Sequence, residues 1–162
     1  MTLDGFHPGC QVFESLEQQT EKLISLLQEN QLTEFEAVIG LSMGTIFSVR
    51  LAKRPELTIR RLFLDGAVNF YRSRYKKVVE LAITLIFSGF MKSARKNPEK
   101  SVESMRKVYT GDWPEKMQVC RASLDKKSLK VMAAFLADYE LEPGVKQPMR
   151  LLYGGKEDNI KI

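Results

Sequence analysis

The chain is poor in the residues that build metal centres, disulfide frameworks and histidine-based catalysis. Its 162 residues include one histidine, His7, and two cysteines, Cys10 and Cys120, which lie far apart in the sequence. This set lacks the ligand spacing of a zinc cluster and the cysteine density of a disulfide scaffold. We therefore expect no metal or other cofactor and a reducing, cytoplasmic setting. A reaction that needs a histidine general base has only His7 available within this sequence.

The sequence also lacks a long uncharged apolar run and a basic leader. Its most apolar window, residues 78–91, contains Glu80 and is shorter than the roughly 20 residues that a membrane-spanning helix needs. The first nine residues contain Asp4 and no apolar run after a basic start, so they do not match a secretion signal. We expect no membrane span. The 44% hydrophobic content is typical of a single folded domain.

Charge is distributed unevenly along the chain. Residues 1–45 hold seven acids and one base, whereas residues 70–107 hold ten bases and three acids. The basic segment contains no nucleic-acid-binding motif, so we expect no nucleic-acid partner and interpret the segment as a solvated helical face. Contact with nucleic acid or anionic lipid is the less favoured alternative.

The first half of the sequence alternates between helical and strand patterns. Apolar spacing predicts an amphipathic helix over 13–29, and the apolar run 36–41 predicts a strand covered on both faces. A second helix is predicted over 45–53, ending before Pro55, and a second strand over 59–64. This order is typical of α/β proteins with a parallel sheet and crossover helices.

Residues 70–140 interrupt this alternation with helical patterns at 78–91, 102–108 and 129–136. The patterns are separated by Asn97-Pro98, Gly111-Asp112 and Trp113-Pro114, which predicts three to four helices before a third strand at 149–153. We therefore divide the chain into a partial α/β core (1–69), a helical cap inserted into it (70–142), and a core strand with an acid-bearing turn (143–162).

The sharpest motif is the sequence GLSMG at residues 40–44, between the predicted strand and helix. A serine at a tight strand-to-helix turn has a strained backbone, and side chains in place of Gly40 and Gly44 would collide with the turn or with an approaching substrate. Such a turn exposes the Ser42 hydroxyl. It also directs the first amides of the next helix, starting with the Met43 N–H, toward a developing oxyanion.

Several stretches resemble serine hydrolases of the α/β-hydrolase fold (esterase- and lipase-like proteins). Three stretches resemble the nucleophile-elbow region of that family: AVIGLSMG at 37–44, LAKRP at 51–55 and LFLDGA at 62–67. A fourth, PMRLLYG at 148–154, resembles its acid-bearing strand. The resemblance implies a partial α/β-hydrolase fold with about three parallel strands, flanking helices and a helical cap.

The resemblance also implies roles for individual residues. Ser42 is the nucleophile, the backbone N–H of Met43 is an oxyanion donor, and the triad acid is Glu157 or Asp158, with Glu157 slightly preferred; a solvated acidic turn is the alternative for these two. The implied reaction is hydrolysis of a small-molecule ester or related acyl bond through an acyl-enzyme. Acyltransferase or thioesterase activity would use the same elbow, and a non-catalytic binding module on a degenerate scaffold is the other alternative.

Two parts of the family pattern have no counterpart in the sequence. The loop that supplies the second oxyanion amide would precede Met1, and the catalytic histidine would follow Ile162. His7, in a loop before the first helix, is a poor substitute, so we expect weak or no activity from this chain. Without the earlier strands the sheet would keep an unpaired apolar edge, which predicts self-association or low stability. Within the predicted cap, Ile83, Ile86 and Phe87 would either roof an apolar acyl group or face the sheet.

Overall fold

The computed structural model describes residues 3–66, 75–139 and 144–152. These residues form six α-helices and five short strands. In chain order they are α1 (Leu16–Glu29), β1 (Glu34–Phe35), β2 (Val38–Leu41), α2 (Gly44–Ala52), β3 (Thr58–Ile59), β4 (Leu62–Asp65), α3 (Lys76–Lys96), α4 (Pro98–Arg106), α5 (Trp113–Ser123), α6 (Lys126–Asp138) and β5 (Met149–Leu152).

The chain divides into two compact units. A sheet unit comprises residues 20–72 and 139–162, and a helical unit comprises residues 1–19 and 73–138. The first 19 residues thus belong with the helices that follow residue 73, although they precede the first strand in sequence. All strands lie in the sheet unit together with α2 and most of α1, and helices α3 to α6 lie in the helical unit.

The sheet unit is built on a parallel sheet with the strand order β2-β4-β5. Val38 on β2 pairs with Leu62 on β4, which pairs with Met149 on β5. Parallel neighbours need a crossover connection, and α2 provides it between β2 and β4. The predicted α/β class, with three parallel strands and flanking helices, is confirmed.

The core of this unit lies on one face of the sheet. It combines apolar side chains from α1, α2, β3, β4 and the loop before β3, namely Ile24, Val49, Leu51, Ala52, Leu57, Ile59, Leu62 and Leu64. On β2, by contrast, Ile39 is 68% exposed and Leu41 is 60% exposed. The expectation that the strand at 36–41 is covered on both faces is therefore wrong for the described residues. Side chains alternate along a strand, so Ile39 and Leu41 share the face opposite to this core.

The second predicted strand, 59–64, is interrupted by polar residues, and a further short strand, β1, precedes the first predicted strand, 36–41. Glu36 separates β1 from β2, Arg60 and Arg61 separate β3 from β4, and Arg60 forms an ion pair with Glu36 at 3.0 Å. The short strands β1 and β3 pair with each other as a separate two-stranded parallel sheet. The apolar pattern located β2 and β4 but predicted neither β1 nor the break between β3 and β4.

The helical unit contains the four helices α3 to α6, in agreement with the three to four that the sequence predicts. Phe13, which the sequence places at the start of the first helix, precedes α1 and is fully buried, and its ring stacks on Phe135 at 5.7 Å between centroids. The Trp113-Pro114 pair opens α5 instead of separating helices. Proline is tolerated there because amides in the first turn of a helix have no intrahelical partner.

No helix within the described ranges is long and apolar enough to cross a membrane. The longest, α3, has 21 residues but carries charged side chains near both ends.

Candidate active site

Ser42 occupies the turn between the end of β2 at Leu41 and the start of α2 at Gly44. Its φ angle is +49°, in the left-handed region that side-chain-bearing residues seldom adopt, and its side chain is exposed. Holding a non-glycine residue there costs about 1 kcal/mol or more. The strain that the motif predicts is therefore present at the serine itself.

The turn is held by hydrogen bonds on both sides of Ser42. The Ser42 N–H donates to the carbonyl oxygen of Asp65 at 2.8 Å, which ties the serine to the end of β4. The Thr45 hydroxyl donates to the Ser42 carbonyl oxygen at 2.6 Å, and the Thr45 N–H reaches the same oxygen at 3.0 Å. Because Thr45 is buried in α2, strand β4 and helix α2 together fix the serine backbone.

The two glycines of the motif have different environments. A Cβ on Gly40 would lie 2.5 Å from the Ser48 Oγ and 2.8 Å from both the Gly44 carbonyl oxygen and the Thr45 Cα. A Cβ on Gly44 would meet no atom of the chain within 4 Å. Gly40 is therefore required for the close approach of β2 to α2, whereas nothing in the turn itself demands a glycine at Gly44.

Met43 is the N-cap residue of α2 and has no side-chain capping bond. Amides at the start of a helix lack an intrahelical partner, and the helix dipole adds partial positive charge at this end. The position of Met43 directly after Ser42 therefore suits its N–H to donate to an oxygen that gains negative charge beside the serine.

The other candidate residues lie elsewhere in the chain. Glu157 and Asp158 fall outside the described residues, which reach Leu152 at the end of β5. His7 belongs to the helical unit and is exposed, and its Nδ1 lies 2.8 Å from the carbonyl oxygen of Pro8. Ser42 belongs to the sheet unit.

Asp65 is the last residue of β4, and the sequence motifs assign it no role. In the structure Asp65 pairs in register with Leu41, and its carbonyl oxygen accepts the Ser42 amide proton. Because the acceptor is a main-chain carbonyl, no side-chain pattern in the sequence marks this position; it follows from the pairing of β2 with β4.

Neither cysteine joins a cluster that suggests metal binding. Within the described ranges no group of three or more histidine, cysteine, aspartate or glutamate side chains is placed to hold a metal ion. Cys10 is exposed, and burial raises the pKa of the half-buried Cys120 thiol, which disfavours the reactive thiolate.

No protein-family model and no curated protein sequence matches the chain. Solved structures do match. A protein from Desulfitobacterium hafniense assigned to the α/β hydrolase family aligns over 97% of this chain and 64% of its own, with 22% identity and a TM-score of 0.64. A thermophilic esterase from Thermogutta terrifontis aligns over 94% and 59%, with 18% identity and a TM-score of 0.60.

An enol-lactonase from Burkholderia xenovorans aligns over 94% of this chain and 60% of its own, with 18% identity and a TM-score of 0.57. The chain thus spans about three fifths of the length of these structures. Identities of this size establish a shared fold and leave activity open. The chain has part of the α/β-hydrolase fold, including the strand, turn and helix that surround Ser42.

Proposed function

We propose that the chain is the nucleophile-bearing part of a serine hydrolase that cleaves a small-molecule ester or related acyl bond. Ser42 would be the nucleophile, the Met43 N–H an oxyanion donor, and Glu157 or Asp158 the acid that orients the base. The observation that carries the proposal is the backbone of Ser42. An exposed serine held at φ +49° by hydrogen bonds from two elements is an arrangement that structural needs alone do not explain.

The chemistry follows from this geometry. The Ser42 Oγ would add to the acyl carbon as a base removes its proton, and the oxyanion formed would accept a hydrogen bond from the Met43 N–H. Collapse of this intermediate would expel the alcohol and leave an acyl group on Ser42, which water then releases. Two of the structural neighbours, an esterase and an enol-lactonase by name, support an ester-type bond as the substrate class.

A fluorophosphonate probe tests the nucleophile, because it reacts with activated serine hydroxyls. Applied to the whole protein of which this chain would be the nucleophile-bearing part, the probe should label Ser42, as mapped by peptide mass spectrometry, and labelling should be lost in Ser42→Ala. Ser104→Ala is the matched control, since Ser104 is an exposed serine on a regular helix and its loss should change nothing. Labelling that persists in Ser42→Ala would show that another group reacts and would remove Ser42 from this role.

A non-catalytic binding module is the second candidate function. It is favoured by the state of His7, which is the sole histidine of the sequence and lies against the Pro8 carbonyl oxygen. Hydrolysis of a p-nitrophenyl ester separates the two candidates. Turnover by the whole protein that disappears in Ser42→Ala supports the hydrolase, and loss of that turnover in His7→Gln would assign His7 as the base. Absence of both labelling and turnover in the whole protein supports the binding module.

Acyl transfer or thioester cleavage would use the same acyl-enzyme with a different acceptor or leaving group. Product analysis with water, alcohols and thioesters as competing reactants distinguishes these reactions. The helices of residues 70–142 as a substrate cap, and a cytoplasmic location, are further parts of this proposal. The cap rests on the helical pattern of the sequence, and the cytoplasmic location rests on the scarcity of cysteine.

A further inference from the structure

Helix α3 exposes a continuous row of large apolar side chains. Val78 is 65% exposed, Leu81 59%, Leu85 64%, Ile86 55% and Phe90 40%. At 100° per residue these positions cover about half of the helix circumference, and they extend about 18 Å along its axis. We call this row the α3 apolar face. The opposite side of the helix supplies Met91 and Ala94 to the interior of the helical unit.

A hollow of about 550 Å³ borders this face between α3 and α6. Its lining includes the buried Leu129 and the exposed Leu81, which also belongs to the α3 apolar face. Its polar lining consists of three lysines, two hydroxyl-bearing residues and one acid: Lys77, Lys126, Lys130, Thr84, Ser88 and Glu80. We call it the basic hollow.

The lining of the basic hollow has a net positive charge, because three lysines face one carboxylate. Lys77, Lys126 and Lys130 form no ion pair with any described residue, whereas the neighbouring Lys76 pairs with Asp138 at 2.5 Å. Glu80 is the one carboxylate in the lining. The Thr84 hydroxyl donates to the Glu80 carbonyl oxygen at 2.8 Å, which leaves the three ammonium groups and the Ser88 hydroxyl as donors to a ligand. These groups suit an anion with several oxygens, and a phosphate group has this chemistry.

We propose that the α3 apolar face and the basic hollow together bind the surface of an anionic phospholipid bilayer. The apolar side chains would enter the boundary between headgroups and acyl chains, and the lysines would contact lipid phosphates. A helix with a broad apolar face flanked by lysines is typical of proteins that lie on such surfaces. A protein partner fits less well, because lysines are depleted in protein interfaces, and free phosphate leaves the apolar face unexplained.

Vesicle flotation of the intact chain tests the proposal without relying on any enzymatic activity. We expect binding to vesicles of phosphatidylcholine mixed with phosphatidylglycerol and little binding to phosphatidylcholine alone. Added salt should weaken the interaction, because it screens charge at the membrane surface. Equal binding to both kinds of vesicle, or none to either, would overturn the proposal. These measurements use the unaltered chain, so they remain decisive if a variant unfolds.

Paired variants separate the two parts of the surface. Lys126→Gln/Lys130→Gln should weaken binding to the mixed vesicles about 30-fold, from about 1 kcal/mol for each lysine near an anionic surface. The double variant Lys100→Gln/Lys107→Gln removes the same charge from exposed positions away from the hollow and should bind almost as the unaltered chain does. If the two double variants weaken vesicle binding equally, the net charge of the chain explains the interaction and the proposed site is wrong.

The apolar contribution has its own control. Leu81→Gln/Leu85→Gln should reduce binding at least about tenfold, and Val108→Gln, at a side chain that is 74% exposed on another segment, should not. Two further outcomes would overturn the proposal. One is binding of inorganic phosphate without binding of vesicles. The other is a concentration-dependent dimer that Leu81→Gln/Leu85→Gln abolishes, with no vesicle binding, which would make the face an interface between copies of the chain.

Discussion

Two described residues other than glycine have positive φ angles, and they differ in kind. Gln31, at φ +58°, follows the end of α1, where its N–H donates to the Gln28 carbonyl oxygen and the Leu32 N–H donates to the Leu27 carbonyl oxygen. This is an ordinary way to end a helix. Ser42 precedes a helix instead, so its left-handed backbone has no such explanation. The strain at Ser42 is therefore a property of the turn that the GLSMG sequence encodes.

The two motif glycines provide a matched pair for a stability measurement. Gly40→Ala would place a methyl group 2.5 Å from the Ser48 Oγ and 2.8 Å from main-chain atoms of α2, so β2 and α2 would have to move apart. We expect a loss of about 1–3 kcal/mol in the free energy of unfolding. Gly44→Ala meets no atom within 4 Å and should change the free energy of unfolding little. Chemical denaturation of both variants checks this, and equal effects would contradict the steric argument.

Helix α6 begins with a capping arrangement that joins two parts of the helical unit. The Asp125 Oδ1 accepts hydrogen bonds from the Lys127 N–H at 2.7 Å and the Ser128 N–H at 2.9 Å, and the Ser128 hydroxyl donates to the Asp125 Oδ2. The Ser128 Oγ in turn accepts from the Phe13 N–H at 2.9 Å. One carboxylate thus orders the start of α6 and, through Ser128, the segment before α1.

These contacts make a pH-dependent prediction. Partial burial opposes ionisation of Asp125, but the hydrogen bonds from Ser128 and Lys127 outweigh it and lower the pKa of the carboxyl. A lowered folded-state pKa gives stability that is present above the unfolded-state pKa of about 4 and is lost as pH falls through the folded-state pKa. We expect Asp125→Ala to cost about 1 kcal/mol at neutral pH and much less at acidic pH. Urea denaturation at both pH values measures this.

Asp112 is the control for that measurement. It occupies the N-cap position of α5 but makes no side-chain capping bond, and it pairs with Lys116 at 2.7 Å on the surface. Asp112→Ala should therefore destabilise the chain less than Asp125→Ala. A larger effect at Asp112 would show that surface ion pairs, and not capping, dominate these helix starts.

The elements differ in how well the sequence predicts them. The predicted bounds of α2 differ from the observed bounds by one residue at each end, because an apolar pattern and the helix-terminating Pro55 both define this helix. Helix α5 is not predicted, because its first residues, Trp113 and Pro114, match a separator between helices and its apolar pattern is weak. The signal that could have found it is Asp112 followed by a proline in the first turn, a typical start of a helix.

The sheet as a whole leaves apolar surface open. Among the described strands β2 pairs only with β4, and its Ile39 and Leu41 are largely exposed. Parallel sheets are normally covered on both faces, and an open apolar edge strand is a template for pairing with another chain. Self-association through β2 therefore remains our prediction.

Sedimentation velocity over a range of concentrations tests that prediction. We expect the chain to associate as concentration rises, and Ile39→Lys to reduce association because lysine on an edge strand disfavours pairing. Leu32→Lys is the control, since Leu32 is 52% exposed but lies outside the strands. A stable monomer at all concentrations would contradict the prediction.

The sequence by itself determined the α/β class, the three parallel strands, three of the four helices after the second strand, and Ser42 as the candidate nucleophile. These features depend on local periodicity and on a short motif with a steric rationale, so neighbouring residues suffice to predict them. The tertiary structure alone decided that the Asp65 carbonyl holds the Ser42 amide, that Gly40 is tightly packed while Gly44 is open, and that α3 exposes an apolar face beside the basic hollow. These features arise from contacts between residues far apart in the chain, which no local pattern records.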